Sequence, residues 1–109
     1  MVVRLRRRRK KARGIIMDLG RGGIFVKTKA QVELGSELVV CFRAKPDFMC
    51  EGRGRIARVL NTRMLQGFGI EFEELNEPLD QLLAIIERLD PQLRQQFLKE
   101  TIERELVIL

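Results

Sequence analysis

The sequence contains no histidine, tryptophan or tyrosine and only two cysteines among its 109 residues. Histidine is the side chain best suited to proton transfer near neutral pH and the commonest neutral metal ligand. Cys41 and Cys50 lie nine positions apart without a CxxC pair, so a tetrahedral zinc site lacks both ligand number and spacing. We therefore expect no enzymatic activity, no catalytic residue and no bound metal or cofactor, and we interpret the two cysteines as reduced thiols of the core.

Long hydrophobic runs are also absent. No apolar stretch approaches the roughly 20 residues that span a bilayer. Met1-Val2-Val3 is followed at once by arginines, unlike the apolar core of a secretory signal. With 45% hydrophobic and 33% charged residues, the chain is predicted to fold as one soluble domain. We expect a cytoplasmic protein that does not insert into membranes.

What the chain has in abundance is positive charge near its start. Residues 1–70 carry 17 basic and five acidic residues, a net charge of +12, whereas residues 71–109 carry four basic and ten acidic residues, a net charge of −6. Eight of the ten residues 4–13 are basic. Such a density attracts phosphates at long range, so the run indicates an anionic partner. The alternative is a solvated terminal arm without a binding role.

Five segments have the pattern of short β-strands separated by turns. Leu38, Val40 and Phe42 alternate onto one face, as a half-buried strand requires. The glycines at 20, 22 and 23 indicate a tight turn over residues 18–23, since glycine adopts positive φ at low cost. The predicted strands cover residues 14–17, 24–28, 37–42, 48–60 and 67–72. Short strands with turns at this spacing predict a small antiparallel barrel or sandwich.

Helical periodicity begins after residue 76. Pro78 is well placed at a helix start, and Asp90-Pro91 marks the break before a second helix. We expect this second helix to continue through Leu106. The tail packs on the barrel in one interpretation and pairs with another copy or a partner protein in the other. The apolar positions of the two helices are Leu79, Leu82, Leu83, Ile86, Leu89, Leu93, Phe97, Leu98, Ile102 and Leu106.

The run Asp18-Leu19-Gly20-Arg21-Gly22-Gly23 resembles the D-x-S-x-x-G turn of PilZ domains, small β-barrels that as a family bind cyclic di-GMP. Gly20 stands where the family has serine. Residues 22–26, 34–38, 52–56 and 67–72 follow in the order and spacing typical of that family, so the resemblance covers about residues 12–90. It implies a mainly β fold, a small antiparallel six-stranded PilZ-like β-barrel with a C-terminal α-helical tail. We divide the chain into a basic arm or first strand (1–13), a barrel (14–76) and a helical tail (77–109).

The second PilZ motif, R-x-x-x-R, lies on an N-terminal segment that folds over the barrel. Two frames match it here, Arg4 with Arg8 and Arg9 with Arg13. Nine residues separate Arg8 from Asp18 and four separate Arg13 from it, whereas the family fits a strand and a turn there. In the alternative, residues 2–5 are the first strand and this motif is missing.

The resemblance implies a ligand site made by the arginine motif and the turn. Guanidinium forks pair with phosphate or with guanine O6 and N7, a carboxylate accepts from guanine N1–H and N2–H₂, and glycines allow close backbone approach. In the alternative, Asp18 only caps the turn through its own backbone. The candidate ligand-binding residues are Arg4, Arg8, Arg9, Arg13, Asp18, Gly20, Arg21, Gly22 and Gly23.

The main hypothesis is a cyclic di-GMP-responsive adaptor that acts on a downstream protein partner in bacterial motility, pilus or biofilm control, with a homo-oligomer through the tail as a further possibility. A second hypothesis keeps the fold and drops the nucleotide, leaving a protein-interaction module in motility or type IV pilus machinery. A third is nonspecific nucleic-acid binding by the basic run. It is the least favoured, because most of the six phenylalanines fall at predicted core positions instead of forming an exposed stacking surface.

Overall fold

Backbone hydrogen bonds join six antiparallel strands into a closed barrel in the order β1-β2-β5-β4-β3-β6. The computed structural model describes residues 12–109. The strands are β1 (Ala12–Gly20), β2 (Gly23–Lys27), β3 (Glu37–Ala44), β4 (Phe48–Asn61), β5 (Gln66–Leu75) and β6 (Glu105–Ile108), and helices α1 (Glu77–Glu87) and α2 (Pro91–Thr101) lie between β5 and β6. The prediction of a small six-stranded antiparallel barrel with two C-terminal helices is confirmed.

Alternating apolar side chains fill the barrel interior. Along β3, Leu38, Val40 and Phe42 are buried, as their spacing predicts. Phe68 and Ile70 of β5 are also buried, whereas Phe72 is only half-buried. Because the interior is occupied by side chains, a ligand has to bind on the outside of this barrel.

Helix α1 covers one end of the barrel. Asn76 caps it by accepting a hydrogen bond from the Leu79 backbone N–H (3.1 Å). The same amide donates to the Met49 carbonyl (2.9 Å) and accepts from the Glu51 N–H (3.1 Å), which ties the helix start to β4. The residues of α1 that become buried are Leu79, Leu82, Leu83 and Ile86. The interpretation of the tail as packed on the barrel therefore holds for α1.

The predicted extent of the second helix, through Leu106, is wrong. Helix α2 ends at Thr101, Ile102 forms an isolated bridge with Ala44, and the chain then enters β6. Leu98, Ile102 and Leu106 have helical spacing, but Leu106 and Ile108 also alternate as in a strand, and both are buried. Strand β6 pairs with β1 and β3, whose edges would otherwise lack hydrogen-bond partners. The segment expected as a helical tail thus also supplies the strand that closes the barrel.

We expect Leu106→Ala to lower the free energy of unfolding by about 2–5 kcal/mol, because it removes a fully buried side chain from β6. Val107→Ala is the matched control, since Val107 directly follows Leu106 on the same strand but is only half-buried. It should cost less than about 1.5 kcal/mol. Urea denaturation measures both, and equal losses would contradict the packing of β6 into the barrel.

Candidate functional site

The hairpin of β1 and β2 carries the sequence motif at one end of the barrel. Asp18 pairs with Phe25, Leu19 with Ile24 and Gly20 with Gly23, and Arg21 and Gly22 form the turn. A β-bulge between Ile16 and Asp18 interrupts the alternation. As a result Met17 and Asp18 are both exposed, while Leu19 is buried in the core.

The Asp18 carboxylate has neither a hydrogen bond nor an ion pair with any residue of 12–109. A side chain that capped the turn would accept hydrogen bonds from backbone N–H groups, as Asn76 does at the start of α1. Asp18 accepts none within the described chain. Its exposed oxygens are therefore available to an external donor.

The hairpin glycines differ in whether the structure leaves room for a side chain at their positions. The only positive φ in the described chain belongs to Gly35 (85°), so the glycines at 20, 22 and 23 form the predicted turn without the positive φ that glycine allows. A Cβ on Gly20 would meet no atom within 4 Å, which leaves space for the serine of the family motif. A Cβ on Gly23 would instead overlap the carbonyl oxygen of Ile70, because β2 and β5 approach closely there.

A cleft of about 520 Å³ opens on the outer face of the barrel beside this hairpin. Its charged lining consists of Asp18, Glu71 of β5 and Arg58 of β4. The Arg58 guanidinium lies over the ring of Phe25, 5.4 Å from its centroid. The lining also includes Gly20, Gly22 and Gly23 of the hairpin. The cleft therefore combines two carboxylates, accessible backbone, an aromatic ring and a guanidinium.

Sequence analysis missed Phe25, Arg58 and Glu71. The predicted strands 24–28 and 48–60 contain Phe25 and Arg58, as the structure confirms. Their positions relative to Asp18, however, depend on pairing between strands distant in sequence. Gly23 and Phe25 lie at outward positions of β2 next to the motif. An aromatic residue at an outward position of β2, two positions after the motif, was the signal that could have located this part of the cleft.

The arginines predicted as ligand residues are spread over different places. Arg21 forms ion pairs with Asp80 and Glu87 of α1, both at 3.3 Å, so it braces the hairpin against the helix. Arg13 of β1 pairs with Glu105 (3.2 Å), and the five residues from Arg13 to Asp18 span about 17 Å along a strand. Arg4, Arg8 and Arg9, like the possible strand at 2–5, lie outside the described residues.

Arg13 belongs to a second cleft of about 450 Å³, at the other end of β2. Besides Arg13 its charged lining is Lys27, Lys29, Arg63 and Glu105. Within residues 12–109 the two lysines and Arg63 have no carboxylate partner. This second cleft carries four positive charges against one negative charge, whereas the Asp18 cleft carries one positive charge against two negative charges.

Most other strand arginines are engaged in ion pairs on the barrel surface. Arg53 bonds Glu74 and lies 3.3 Å from Glu37, and Arg55 bonds Glu37 (3.2 Å) and Glu73 (2.9 Å). The hydrogen bond and charge of Glu74 raise the pKa of the Arg53 guanidinium above its ordinary value. These arginines link β3, β4 and β5 through exposed ion pairs.

The cysteines support neither a disulfide nor a metal site. Cys41 and Cys50 are not bonded to each other, and burial raises the pKa of the Cys50 thiol to about 11. A thiol that stays protonated at neutral pH is a poor nucleophile and metal ligand. In the described part of the chain, no three His, Cys, Asp or Glu side chains are grouped so as to hold a metal ion.

Neither α1 nor α2 is long and apolar enough to cross a membrane.

Comparison with known proteins gives one match. The family model of the PilZ domain matches residues 1–88, which include the basic run, the hairpin and most of the barrel. No curated protein matches the chain, and no solved structure does. The matched residues cover more than half of the sequence and contain every residue of the Asp18 cleft.

We expect Gly20→Ser to leave the free energy of unfolding nearly unchanged, because the position has neither a steric obstacle nor a positive φ. Gly23→Ser is the matched control and should destabilise the fold by about 1–3 kcal/mol, since its Cβ would overlap the Ile70 carbonyl. Thermal and urea unfolding compare the two variants. A loss for Gly20→Ser as large as that for Gly23→Ser would mean that the turn itself requires glycine at 20.

Proposed function

The chain belongs to the PilZ domain family, and we propose on this premise that it is a cyclic di-GMP receptor that relays the second-messenger level to a partner protein in the cytoplasm. PilZ domains are binding and adaptor modules, so the function proposed is recognition without catalysis. The observation that carries the proposal is the exposed carboxylate of Asp18, which has no partner among residues 12–109 and lies at the motif position inside the hairpin cleft. Control of motility, type IV pili or biofilm formation is the downstream role that we propose for the relay.

Guanine recognition fits the chemistry of this cleft. The N1–H and N2–H₂ groups of guanine form a pair of adjacent donors, and one ionised carboxylate accepts both. A Cβ built on Gly20 or on Gly22 would meet no atom within 4 Å, so a base can approach the backbone of the hairpin there. Gly20 lacks the hydroxyl of the family serine, which removes one donor and acceptor from the proposed contact.

The phosphates of the ligand need positive charge that the described cleft does not supply, since Asp18 and Glu71 outnumber Arg58. The basic run of residues 4–13 is the nearest cluster of basic residues in the sequence. Along β1, the distance from Ala12 to Asp18 is about 20 Å. A fully extended chain from Arg4 to Ala12 reaches up to about 28 Å, and one from Arg8 to Ala12 reaches about 14 Å. Arg4 and an extended Arg8 side chain are thus long enough to return to Asp18. The position of Arg13 beside Glu105 favours the Arg4 and Arg8 frame over the Arg9 and Arg13 frame.

The alternative is a PilZ-like interaction module that binds no nucleotide. Two observations favour it: the glycine at 20, and the half-exposed apolar side chains of Ile85 on α1 (49%) and Leu93 on α2 (50%). These side chains would serve a protein partner or a second copy of the chain. Nucleic-acid binding is the least favoured function, and the cationic cleft around Lys27, Lys29 and Arg63 is the surface that would carry it.

We expect isothermal titration to detect cyclic di-GMP binding that weakens as salt is raised, because charge-assisted phosphate contacts are screened. Asp18→Ala should weaken binding by about 1.5–3 kcal/mol, the value of a hydrogen bond to a charged group, without loss of stability. Gly20→Ser should strengthen binding by restoring the hydroxyl. The matched control is Asp47→Ala, which removes an exposed carboxylate in the β3–β4 hairpin. Absence of heat at about 100 μM ligand would support the module without nucleotide, and equal affinity for linear RNA would support nucleic-acid binding.

The arginine frames are separated by two double variants. Arg4→Ala with Arg8→Ala should abolish measurable binding or weaken it by about 1.5–3 kcal/mol per contact, because each lost guanidinium removes a charged hydrogen bond. Arg9→Ala with Arg13→Ala removes the same charge and should cost only a small electrostatic increment. Titrations at two salt concentrations measure both. The reverse ranking would select the Arg9 and Arg13 frame, and binding that survives all four substitutions would exclude both.

A further inference from the structure

Arg58 is unlike the other arginines of the barrel strands. Arg43, Arg53 and Arg55 each pair with at least two carboxylates, and Arg13 pairs with one. Within residues 12–109, Arg58 forms neither an ion pair nor a hydrogen bond. In the part of the chain that the structure describes, its one specific contact is the Phe25 ring, 5.4 Å away. The guanidinium is therefore held in place while its N–H donors have no acceptor in the described chain.

The backbone explains how Arg58 reaches Phe25 from two strands away. A β-bulge between Ile56 and Arg58 leaves Ala57 and Arg58 both exposed. Arg58 pairs with Gly69 of β5, and Gly69 pairs in turn with Phe25 of β2. Because Gly69 has no side chain, nothing stands between the two residues. A Cβ there would lie 3.7 Å from the Phe25 ring and 3.8 Å from the Arg58 Cβ.

The register continues from Phe25 to the motif. Phe25 pairs with Asp18 of β1, so Asp18, Phe25, Gly69 and Arg58 form one row across four adjacent strands on the outer face. All four line the same cleft. Neighbouring strands lie about 4.8 Å apart. The row therefore places a carboxylate at one end, a guanidinium towards the other end and an aromatic ring between them, and neither charged group has an ionic partner in residues 12–109.

Carboxylate and guanidinium complement two different edges of one guanine. A carboxylate accepts from N1–H and N2–H₂, and an arginine fork donates to O6 and N7, the commonest specific contact between a protein and guanine. Adenine has an amino group in place of O6, which cannot accept from the guanidinium. A lysine would supply the charge but not the planar fork.

We propose that Arg58, positioned by Phe25 across Gly69, donates to O6 and N7 of the guanine whose N1 and N2 groups bind Asp18, and that it determines the specificity of the cleft for guanine over adenine. This inference rests on the proposed binding of cyclic di-GMP. In this proposal, Arg58 contacts the base of the ligand and not a phosphate. The fork is preorganised because the ring contact restricts the side chain before the ligand arrives.

The test measures affinities for cyclic di-GMP and for the cyclic dinucleotide with two adenines, using the full chain. Arg58→Ala should weaken cyclic di-GMP binding about 10- to 100-fold. Arg58→Lys should lose nearly as much, although the charge is kept. Both variants should lower the guanine-to-adenine affinity ratio. Arg88→Ala is the matched control, since it removes an exposed arginine at the end of α1 that lines neither cleft, and it should change neither affinity.

The outcomes separate the inference from the function on which it rests. If the wild-type chain binds cyclic di-GMP and Asp18→Ala weakens binding while Arg58→Ala does not, the role of Arg58 is wrong and the receptor function stands. Full affinity in Arg58→Lys would show that Arg58 supplies charge to a phosphate, which also overturns the proposal. If the wild-type chain binds no cyclic di-GMP, the receptor function and the role of Arg58 fall together. Unfolding curves for the Arg58 variants check that each one is folded.

Discussion

Closure of the barrel by β6 is the constraint on which the rest of the structure depends. A sheet of five strands would leave the edges of β1 and β3 without backbone partners, and β6 pairs with both. The pairing joins the start of the described chain to its end, because Ala12 lies opposite Ile108. Helices α1 and α2 are therefore held in a loop between two barrel strands, and α1 is pressed onto the barrel end.

A closed barrel filled by its own side chains leaves only the outer face for ligands. On that face, two bulges matter: the one before Asp18 turns a carboxylate outwards, and the one before Arg58 turns a guanidinium outwards. The same register that pairs the strands aligns both residues with Phe25 and Gly69. The candidate site is thus a consequence of strand pairing, and the hairpin motif is one end of it.

Some charged residues of the barrel surface pair with one another, whereas others line the two clefts. The ion pairs of Arg53 and Arg55 with Glu37, Glu73 and Glu74 fix β3, β4 and β5, and such exposed pairs contribute little individually to stability. They leave few cations free near the Asp18 cleft, which is why phosphate binding there would need the basic run. The cationic cleft at the opposite end of β2 is continuous in sequence with that run through Arg13.

The sequence by itself determined five of the six strands, the turns between them, the start of both helices and the family, because these depend on local periodicity, proline and glycine positions and a short ordered motif. It also identified Asp18 and Gly20 as positions of the motif, whereas the open space around Gly20 is a property of the tertiary structure. It did not determine that residues 105–108 are a strand, since Leu98, Ile102 and Leu106 fit a helix as well as Leu106 and Ile108 fit a strand. Only the tertiary structure decided between them, because the unpaired edges of β1 and β3 are formed far away in sequence. For the same reason, the sequence did not reveal that Arg58 lies in the cleft. Its place beside Phe25 and Asp18 depends on the register of four strands and on two bulges that no local pattern specifies.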